Sequence, residues 1–247
     1  MTRADVSIAA LTDALNAHLD DDARSWLAKT RDAAARDATI LDREFATVGR
    51  RCGREQLADG WTADDAARVA LIAAAQSSGD DIGQVCKDLY RYGDANEKRA
   101  VLLALSYLSI EDSALHIVHD ALRTNDVRLV AAALGPYAAT HLDAAAYRNA
   151  ILKCLFVGVP LDLVAGLDRR LDSELARMLA GFAHERIAAG RDIPADVWPL
   201  LARFPAAVEH AGIRAELHSQ VPDRRRAAER AVAALDAATN NLSTEGE

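Results

Sequence analysis

The sequence predicts an all-α protein of stacked antiparallel helices, and three observations support this prediction. Alanine and leucine dominate the 247-residue chain, 51% of its residues are hydrophobic and only 5% are aromatic, which is a helix-forming composition. Apolar residues recur at spacings of three and four rather than two. Aspartates and glycines stand where helices should begin and end. We therefore expect roughly a dozen helices joined by short loops, and no strand.

The amphipathic pattern is clear from Asp172 to Ala189, where apolar side chains fall on one stripe of a helix. The stripe consists of Leu171, Leu175, Met178, Leu179 and Phe182. Such a stripe buries one helix face against neighbouring helices.

Helix starts are marked by side chains that accept hydrogen bonds from free backbone amides. Two pairs have the capping-box form, namely Asp94 with Glu97 and Thr62 with Asp65. Three further aspartates can each cap a helix, namely Asp112, Asp143 and Asp172.

Helical pairs recur about every 35–40 residues from Asp94 onward, a period typical of helical solenoids. The spacing favours a HEAT-like α-solenoid or a helical-repeat bundle. We expect one helical domain over residues 1–236. From Ala237 the apolar periodicity is lost, so residues 237–247 are predicted to form a flexible C-terminal tail.

Composition also excludes several classes of protein. The net charge of −8 argues against a nucleic-acid partner, which requires a basic face. Residues 1–5 do not begin a signal peptide, and no apolar run approaches the roughly 18–20 residues that span a bilayer, so we expect a cytoplasmic protein that is not inserted in a membrane. The sequence contains no phosphate-binding glycine loop and no familiar catalytic motif, and we predict no cofactor.

No metal site is predicted either. The three cysteines, Cys52, Cys86 and Cys154, are too far apart for a zinc motif and are expected to be buried thiols. His116, His119 and Asp120 share one helix face, but the sequence offers them no further ligand, so a solvated face is the preferred interpretation.

Lys153 is the only charged residue between Ala150 and Leu161, and its helical neighbours provide no obvious solvated face. One interpretation is that its ammonium group reaches water along an apolar stem. The other is that it faces a cavity, where it could bind an anion.

The helix after Asp172 carries a second anomaly, because Arg186 falls on the apolar stripe and must emerge at the helix end or find a partner. A polar row on another face consists of Glu174, Arg177, Gly181, His184 and Glu185. Surface salt bridges explain such a row in most proteins. A glycine in a helix interior costs about 1 kcal/mol relative to alanine, so a close neighbouring helix or a ligand would account for Gly181.

Two loops supply further candidates. Asp168, Arg169 and Arg170 precede the same helix and could grip a carboxylate or phosphate, or could be solvated loop charges. Arg123 and Asn125 lie between two helices, where a turn and cap also explain the residue types.

Longer motifs accompany these single residues. They read Pro136-Tyr137-Ala138, Leu152-Lys153 with Phe156 and Pro160-Leu161, Gly166-Leu167-Asp168-Arg169-Arg170, Glu174-Leu175-Ala176-Arg177-Met178-Leu179, and Ala183-His184-Glu185-Arg186-Ile187-Ala188-Ala189-Gly190-Arg191. In these stretches, and at Arg123-Thr124-Asn125 upstream, the chain resembles the EboA-domain family of bacterial metabolite-traffic proteins. The resemblance is strongest over Leu152 to Trp198.

The resemblance implies a role in making or moving a small metabolite of secondary metabolism, without implying a reaction. Lys153, Arg186 and the polar row are also positions of the motif, which favours a shared pocket, although shared packing would give the same overlap.

Our leading hypothesis is a helical-repeat protein that binds a small anionic metabolite. Four cations would hold the anion, namely Lys153, Arg170, Arg177 and Arg186. Asp168, Glu174 and Glu185 would orient them, His184 would act as a neutral donor, and Arg123 and Asn125 would complete the site.

Two alternatives remain open. In the first, the protein is an enzyme with His184 or Glu185 as general acid–base and Lys153 stabilising negative charge. In the second, it is a scaffold for a protein of the same pathway, encoded in the same gene cluster.

Overall fold

A computed structural model describes residues 6–58 and 60–245 of the chain. Residues 1–5, where no signal peptide is predicted, and the last two residues of the predicted tail lie outside this description.

The described residues are mostly helical, as predicted, and contain sixteen α-helices. The first ten are α1 (Ile8–His18), α2 (Asp21–Ala34), α3 (Leu41–Glu44), α4 (Val48–Arg51), α5 (Ala63–Ala75), α6 (Ile82–Tyr92), α7 (Ala95–Ala104), α8 (Leu115–Arg123), α9 (Val127–Ala133) and α10 (Pro136–His141). The remaining six are α11 (Ala144–Val157), α12 (Leu167–Arg170), α13 (Ser173–Ala188), α14 (Val197–Ala202), α15 (Pro205–His210) and α16 (Pro222–Glu245).

The prediction that the chain has no strand is wrong. Strands β1 (Gln56–Ala58) and β2 (Trp61–Thr62) form an antiparallel hairpin in which Gln56 pairs with Thr62 and Ala58 with Trp61. Gly60 stands in the turn with φ +74°, a left-handed conformation that glycine adopts without steric cost. Strands of three and two residues are too short to show an alternating apolar pattern in the sequence.

The chain divides into two compact units. The N-terminal unit contains the residues up to Tyr147 with Val157–Val159 and Leu163–Ala165, and the C-terminal unit contains Arg148–Phe156, Pro160–Asp162 and the residues from Gly166 onward. Whether residues 1–236 behave as a single domain stays a prediction.

In the N-terminal unit, helix α5 packs against α1, α2 and α7. Helix α7 packs in turn against α9, while α6 contacts α7 and α8 contacts α9. Alternate helices therefore stack on one another, with the intervening helices beside them. This neighbour pattern is what a helical repeat requires, and the HEAT-like solenoid stays our proposal for the architecture.

In the C-terminal unit, α13 packs against α14, α15 and α16, and α16 also packs against α14. The predicted apolar stripe lies at the centre of this packing, since Leu175 and Leu179 are fully buried and Phe182 is 7% exposed. Helix α16 continues through Ala237–Glu245, part of the segment predicted as a flexible tail. The flexibility of that segment is an untested prediction.

Three of the predicted caps form. Asp94 and Glu97 make a reciprocal capping box at α7. Asp143 accepts a hydrogen bond from the Ala146 amide at 2.7 Å, and Asp172 accepts one from the Leu175 amide at 2.8 Å.

The other two predicted caps are wrong. The Thr62 hydroxyl caps no described amide of α5 and instead lies 2.6 Å from Asp64 Oδ1 and 2.7 Å from Asp65 Oδ2. Asp112 lies in a short 3-10 turn and its carboxylate is 2.8 Å from His141 Nδ1. In both places a charged or polar partner competes successfully with the backbone amides for the side chain.

None of the helices formed by residues 6–58 and 60–245 has the length and hydrophobicity required to cross a bilayer.

Candidate functional site

The start of α13 carries two ion pairs. Arg148 contacts Asp172 through Nε at 3.1 Å and Nη2 at 2.5 Å, and Arg177 forms a two-pronged pair with Glu174 at 2.7 and 2.9 Å. The hydrogen bonds from Arg148 hold the pKa of Asp172 below its ordinary value, and those from Arg177 lower the pKa of Glu174. The predicted residues Glu174 and Arg177 therefore engage each other at a largely exposed position.

His184 lies farther along α13 and faces a mostly buried carboxylate. Its Nε2 atom is 3.8 Å from Glu216, whose side chain is 11% exposed and is clamped by Arg224 through Nε at 3.0 Å. Nδ1 of His184 is buried without a hydrogen-bond partner among the described residues. The next residue, Glu185, is exposed.

Gly181 stands between these two groups and faces open space. A Cβ atom added there would meet no described atom within 4 Å. The sequence-based explanation that a neighbouring helix approaches closely at Gly181 is therefore wrong. The adjacent Phe182 packs edge to face against Phe156 of α11 with ring centroids 5.4 Å apart, and Phe156 is 69% exposed.

The remaining predicted residues lie on α8, α11 and α12 and in the loop after α8. Lys153 and Arg170 are half-buried. Asp168 is exposed and lies 3.4 Å from Arg203. Arg123, paired with Asp120 at 2.6 Å, and exposed Asn125 belong to the N-terminal unit.

Arg186 lies on the apolar stripe of α13, and its side chain extends past the C-terminal end of that helix. Its Nε donates a hydrogen bond of 2.9 Å to the backbone carbonyl of Asp192. The Arg191 amide donates a hydrogen bond of 2.9 Å to the Arg186 carbonyl, and Gly190 forms the turn with φ +67°. The side chain and the turn together fix the loop that follows α13.

That loop forms one wall of a cleft of about 220 Å³ in the C-terminal unit. Helix α16 forms the opposite wall, and Trp198 of α14, 5% exposed, contributes to the lining. The lining residues are Asp192, Ile193, Ala195, Trp198, Ala227, Arg230, Ala231 and Ala234. An apolar cleft with a few polar groups is the usual form of a small-molecule site.

The lining of this cleft carries one guanidinium, that of Arg230, and one carboxylate, that of Asp192. Arg230 Nε donates a hydrogen bond of 2.8 Å to the Asp192 carboxylate, and Nη2 lies 2.7 Å from the same oxygen. In the part of the chain that the structure describes, no carboxylate lies within 4.0 Å of the Arg186 guanidinium. Arg186 does not line the cleft itself, but it places a second guanidinium against the loop that forms one wall.

Arg186 and Trp198 belong to the stretch singled out from the sequence, whereas Asp192 and Arg230 were not predicted. Asp192 and Arg230 form an ion pair although they are 38 positions apart in the chain, and no local sequence pattern predicts such a pairing. The alanine stripe of α16 is visible in the sequence as Ala227, Ala231 and Ala234, but small residues on one helix face do not by themselves indicate a cleft.

A second group that the sequence analysis missed lies in the N-terminal unit. Asp64 and Arg68 are 3% and 1% exposed and pair at 2.7 Å, and Asp65, 1% exposed, pairs with Arg99. The Arg68 Nε also donates to the Phe45 carbonyl at 3.3 Å. Asp64, Asp65 and Arg68 are the only three charged residues between Ala63 and Ala75. Lys153 was singled out for a similar reason, because it is the only charged residue in an apolar stretch.

Several groups show no sign of reactivity. Cys52, Cys86 and Cys154 are free and buried, as predicted, and burial raises their thiol pKa values to about 11, 12 and 12. Among residues 6–58 and 60–245, no group of three or more side chains is placed to hold a metal ion.

The structure thus pairs Glu174 with Arg177 and directs Arg186 to the Asp192 carbonyl. Along α13, Arg177 and Arg186 are separated by about 13 Å at a rise of 1.5 Å per residue. A compact ligand that contacts Arg186 is therefore out of direct reach of the Arg177 side of the helix.

Comparison with curated proteins and with solved structures gave no significant match. The family model described as "Metabolite traffic protein EboA" matches residues 58–202, a range that includes all ten residues of the predicted site. The match covers more than half of the chain and confirms the sequence resemblance, and the protein therefore belongs to the EboA family.

Proposed function

We propose that this protein binds a small anionic metabolite in the cleft between α16 and the loop after α13, in a pathway of metabolite biosynthesis or traffic. The family description supports a general role with metabolites. The observation on which the proposal rests is the guanidinium of Arg230 in an apolar cleft, with Arg186 bound to the loop that forms one wall.

The cleft combines two features that a small anion requires. Its apolar lining, including Trp198, offers surface for the body of a ligand. The guanidiniums of Arg230 and Arg186 provide a positive field, and Arg230 is 54% exposed at its side chain, so it is accessible from solvent.

The proposal concentrates the anion-binding role at Arg186 and Arg230. The anion-gripping role of Lys153, Arg170 and Arg177 stays a separate prediction, as do the orienting role of Asp168, Glu174 and Glu185 and the donor role of His184. A contribution of Arg123 and Asn125, which belong to the N-terminal unit, also stays a prediction. Each of these assignments is open to the same binding experiment.

An enzyme is the second candidate. His184 faces Glu216 at 3.8 Å, and Arg224 fixes that carboxylate. A carboxylate that orients an imidazole is a common arrangement in general acid–base catalysis. Turnover of a pathway intermediate that is lost in His184→Ala would favour this candidate over simple binding.

Native mass spectrometry of protein purified gently from its own host tests the proposal. We expect a small-molecule adduct on the wild-type protein and on Arg214→Met, and its loss from Arg230→Met. Arg214 is the matched control because it forms a similarly exposed pair with Asp236, at 2.5 Å, in the same unit. An adduct retained by Arg230→Met, or a wild-type protein free of small molecules but bound to a stoichiometric protein partner, would overturn the proposal.

A further inference from the structure

The Asp192–Arg230 pair has the geometry of a carboxylate bound in the cleft. Both Nε and Nη2 of Arg230 point to one oxygen of Asp192, at 2.8 and 2.7 Å. The carboxylate of a ligand can make the same end-on, charge-assisted contact with this guanidinium. The Asp192 side chain is 77% exposed, so water can replace it on Arg230. Exposed ion pairs of this kind contribute little to folding.

The backbone at Asp192 is held independently of its side chain. Arg186 binds the Asp192 carbonyl at 2.9 Å, and the Arg191 amide binds the Arg186 carbonyl at the same distance. The Asp192 carboxylate can therefore rotate away from Arg230 while the wall of the cleft stays in place.

The rest of the cleft limits the size of the ligand. Ala227, Ala231 and Ala234 follow one another on α16 at spacings of four and three, so they line one helix face with small side chains. The resulting volume of about 220 Å³ is below the range of roughly 300–1,000 Å³ typical of sites for drug-sized ligands. A compact body packed near Trp198 fits these dimensions.

The charge of the lining limits the ligand further. Arg230 is the one cationic side chain among the described residues that line the cleft. A single guanidinium whose present partner is a single carboxylate matches a singly charged acid better than a diphosphate, which requires several donors.

We infer that the cleft takes a monocarboxylic acid with a compact apolar body, and that the ligand carboxylate replaces Asp192 on Arg230. Asp192 then acts as an internal competitor that occupies Arg230 when the cleft is empty. This inference rests on the proposed function, because it assigns ligand chemistry to the same cleft.

Isothermal titration calorimetry with phenylacetate as the probe and phenylacetamide as its neutral counterpart tests the inference. We expect the wild-type protein to bind phenylacetate more tightly than phenylacetamide, and Arg230→Met to lose the difference. Asp192→Asn removes the competitor and should bind phenylacetate about three- to fivefold more tightly, the range expected when an exposed ion pair no longer has to be broken.

Asp236→Asn is the matched control, since it removes one negative charge from another exposed Asp–Arg pair in the same unit. Equal gains in Asp236→Asn and Asp192→Asn would overturn the competitor role. Equal affinity of the wild-type protein for the acid and the amide, or binding of neither, would overturn the ligand class. An adduct that depends on Arg230 in native mass spectrometry would leave the proposed function standing in both cases.

A substitution that fills the cleft without changing any charge provides an independent check. Ala234 is half-buried, so Ala234→Leu should narrow the cleft while preserving α16. We expect phenylacetate binding to fall at least tenfold with an unchanged circular dichroism spectrum. Undiminished binding would place the ligand outside the cleft and overturn the inference.

Discussion

Two groups of charged residues in this protein, one in each unit, differ sharply in burial. The N-terminal unit encloses Asp64, Asp65 and Arg68 at 1–3% exposure, whereas the C-terminal unit displays pairs such as Asp192–Arg230 with side chains more than half exposed. A charge inside a core must keep its partner, because an unpaired buried ion is strongly destabilising. A surface pair can exchange its partner for water or a ligand at little cost. We conclude that the buried charges stabilise the fold and that the exposed ones are available for binding.

The enclosed pairs are also connected to the backbone. Arg68 binds the Phe45 carbonyl and Arg99 binds the Gly60 carbonyl at 2.9 Å. Their side chains thereby join α5 and α7 to the preceding loops. Near the cleft of the C-terminal unit, Arg186 makes a comparable backbone contact, which fixes the loop at Asp192.

The largest effect is expected from breaking an enclosed pair. Arg68→Met leaves the Asp64 carboxylate buried without its guanidinium, so the free energy of unfolding should fall by about 3–5 kcal/mol. Urea denaturation followed by circular dichroism measures the loss. The control is Arg177→Met in the C-terminal unit, where the exposed pair with Glu174 should contribute less than about 1 kcal/mol. Losses of similar size in the two variants would remove the distinction between the units.

A smaller effect of opposite sign is expected at Gly181. An added Cβ meets no described atom within 4 Å, so Gly181→Ala should stabilise α13 by up to about 1 kcal/mol. The thermal unfolding midpoint reports this gain. A lower midpoint would show that the helix needs glycine there. A normal midpoint with weakened metabolite binding would place a ligand in the open space beside Gly181.

The smallest effect is expected in the acid stability of the C-terminal unit. Hydrogen bonds from Arg148 lower the pKa of Asp172, so this pair contributes stability above the unfolded-state pKa of the carboxyl group and loses it as the pH falls through the folded-state pKa. Arg148→Met should therefore unfold at a slightly higher pH during acid titration. Since both side chains are partly exposed, the shift should shrink in high salt. An acid midpoint identical to the wild type at low salt would contradict the coupling.

The sequence was informative where the cause of a structure lies within a few residues. The box formed by Asp94 and Glu97, the caps at Asp143 and Asp172, and the buried face of α13 all follow from spacings of three or four positions. The helical class and the family resemblance were available in the same way, because both depend on residue types in linear order.

Local patterns failed where a side chain had more than one possible partner. Thr62 has the spacing of a capping residue, yet its hydroxyl approaches Asp64 and Asp65 once Arg68 and Arg99 bring those carboxylates into the core. The spacing cannot reveal this outcome, because the competing arginines arrive through packing.

The candidate site shows the same division. The sequence by itself determined that Arg186 lies on an apolar helix face and must find a partner, and it identified the polar row of α13. Only the tertiary structure decided that this partner is the Asp192 carbonyl, that Arg230 approaches from α16, and that three alanines leave a cleft between them. The physical reason is that helix periodicity fixes which face a residue occupies, whereas the pairing of groups 38 positions apart depends on how the helices pack.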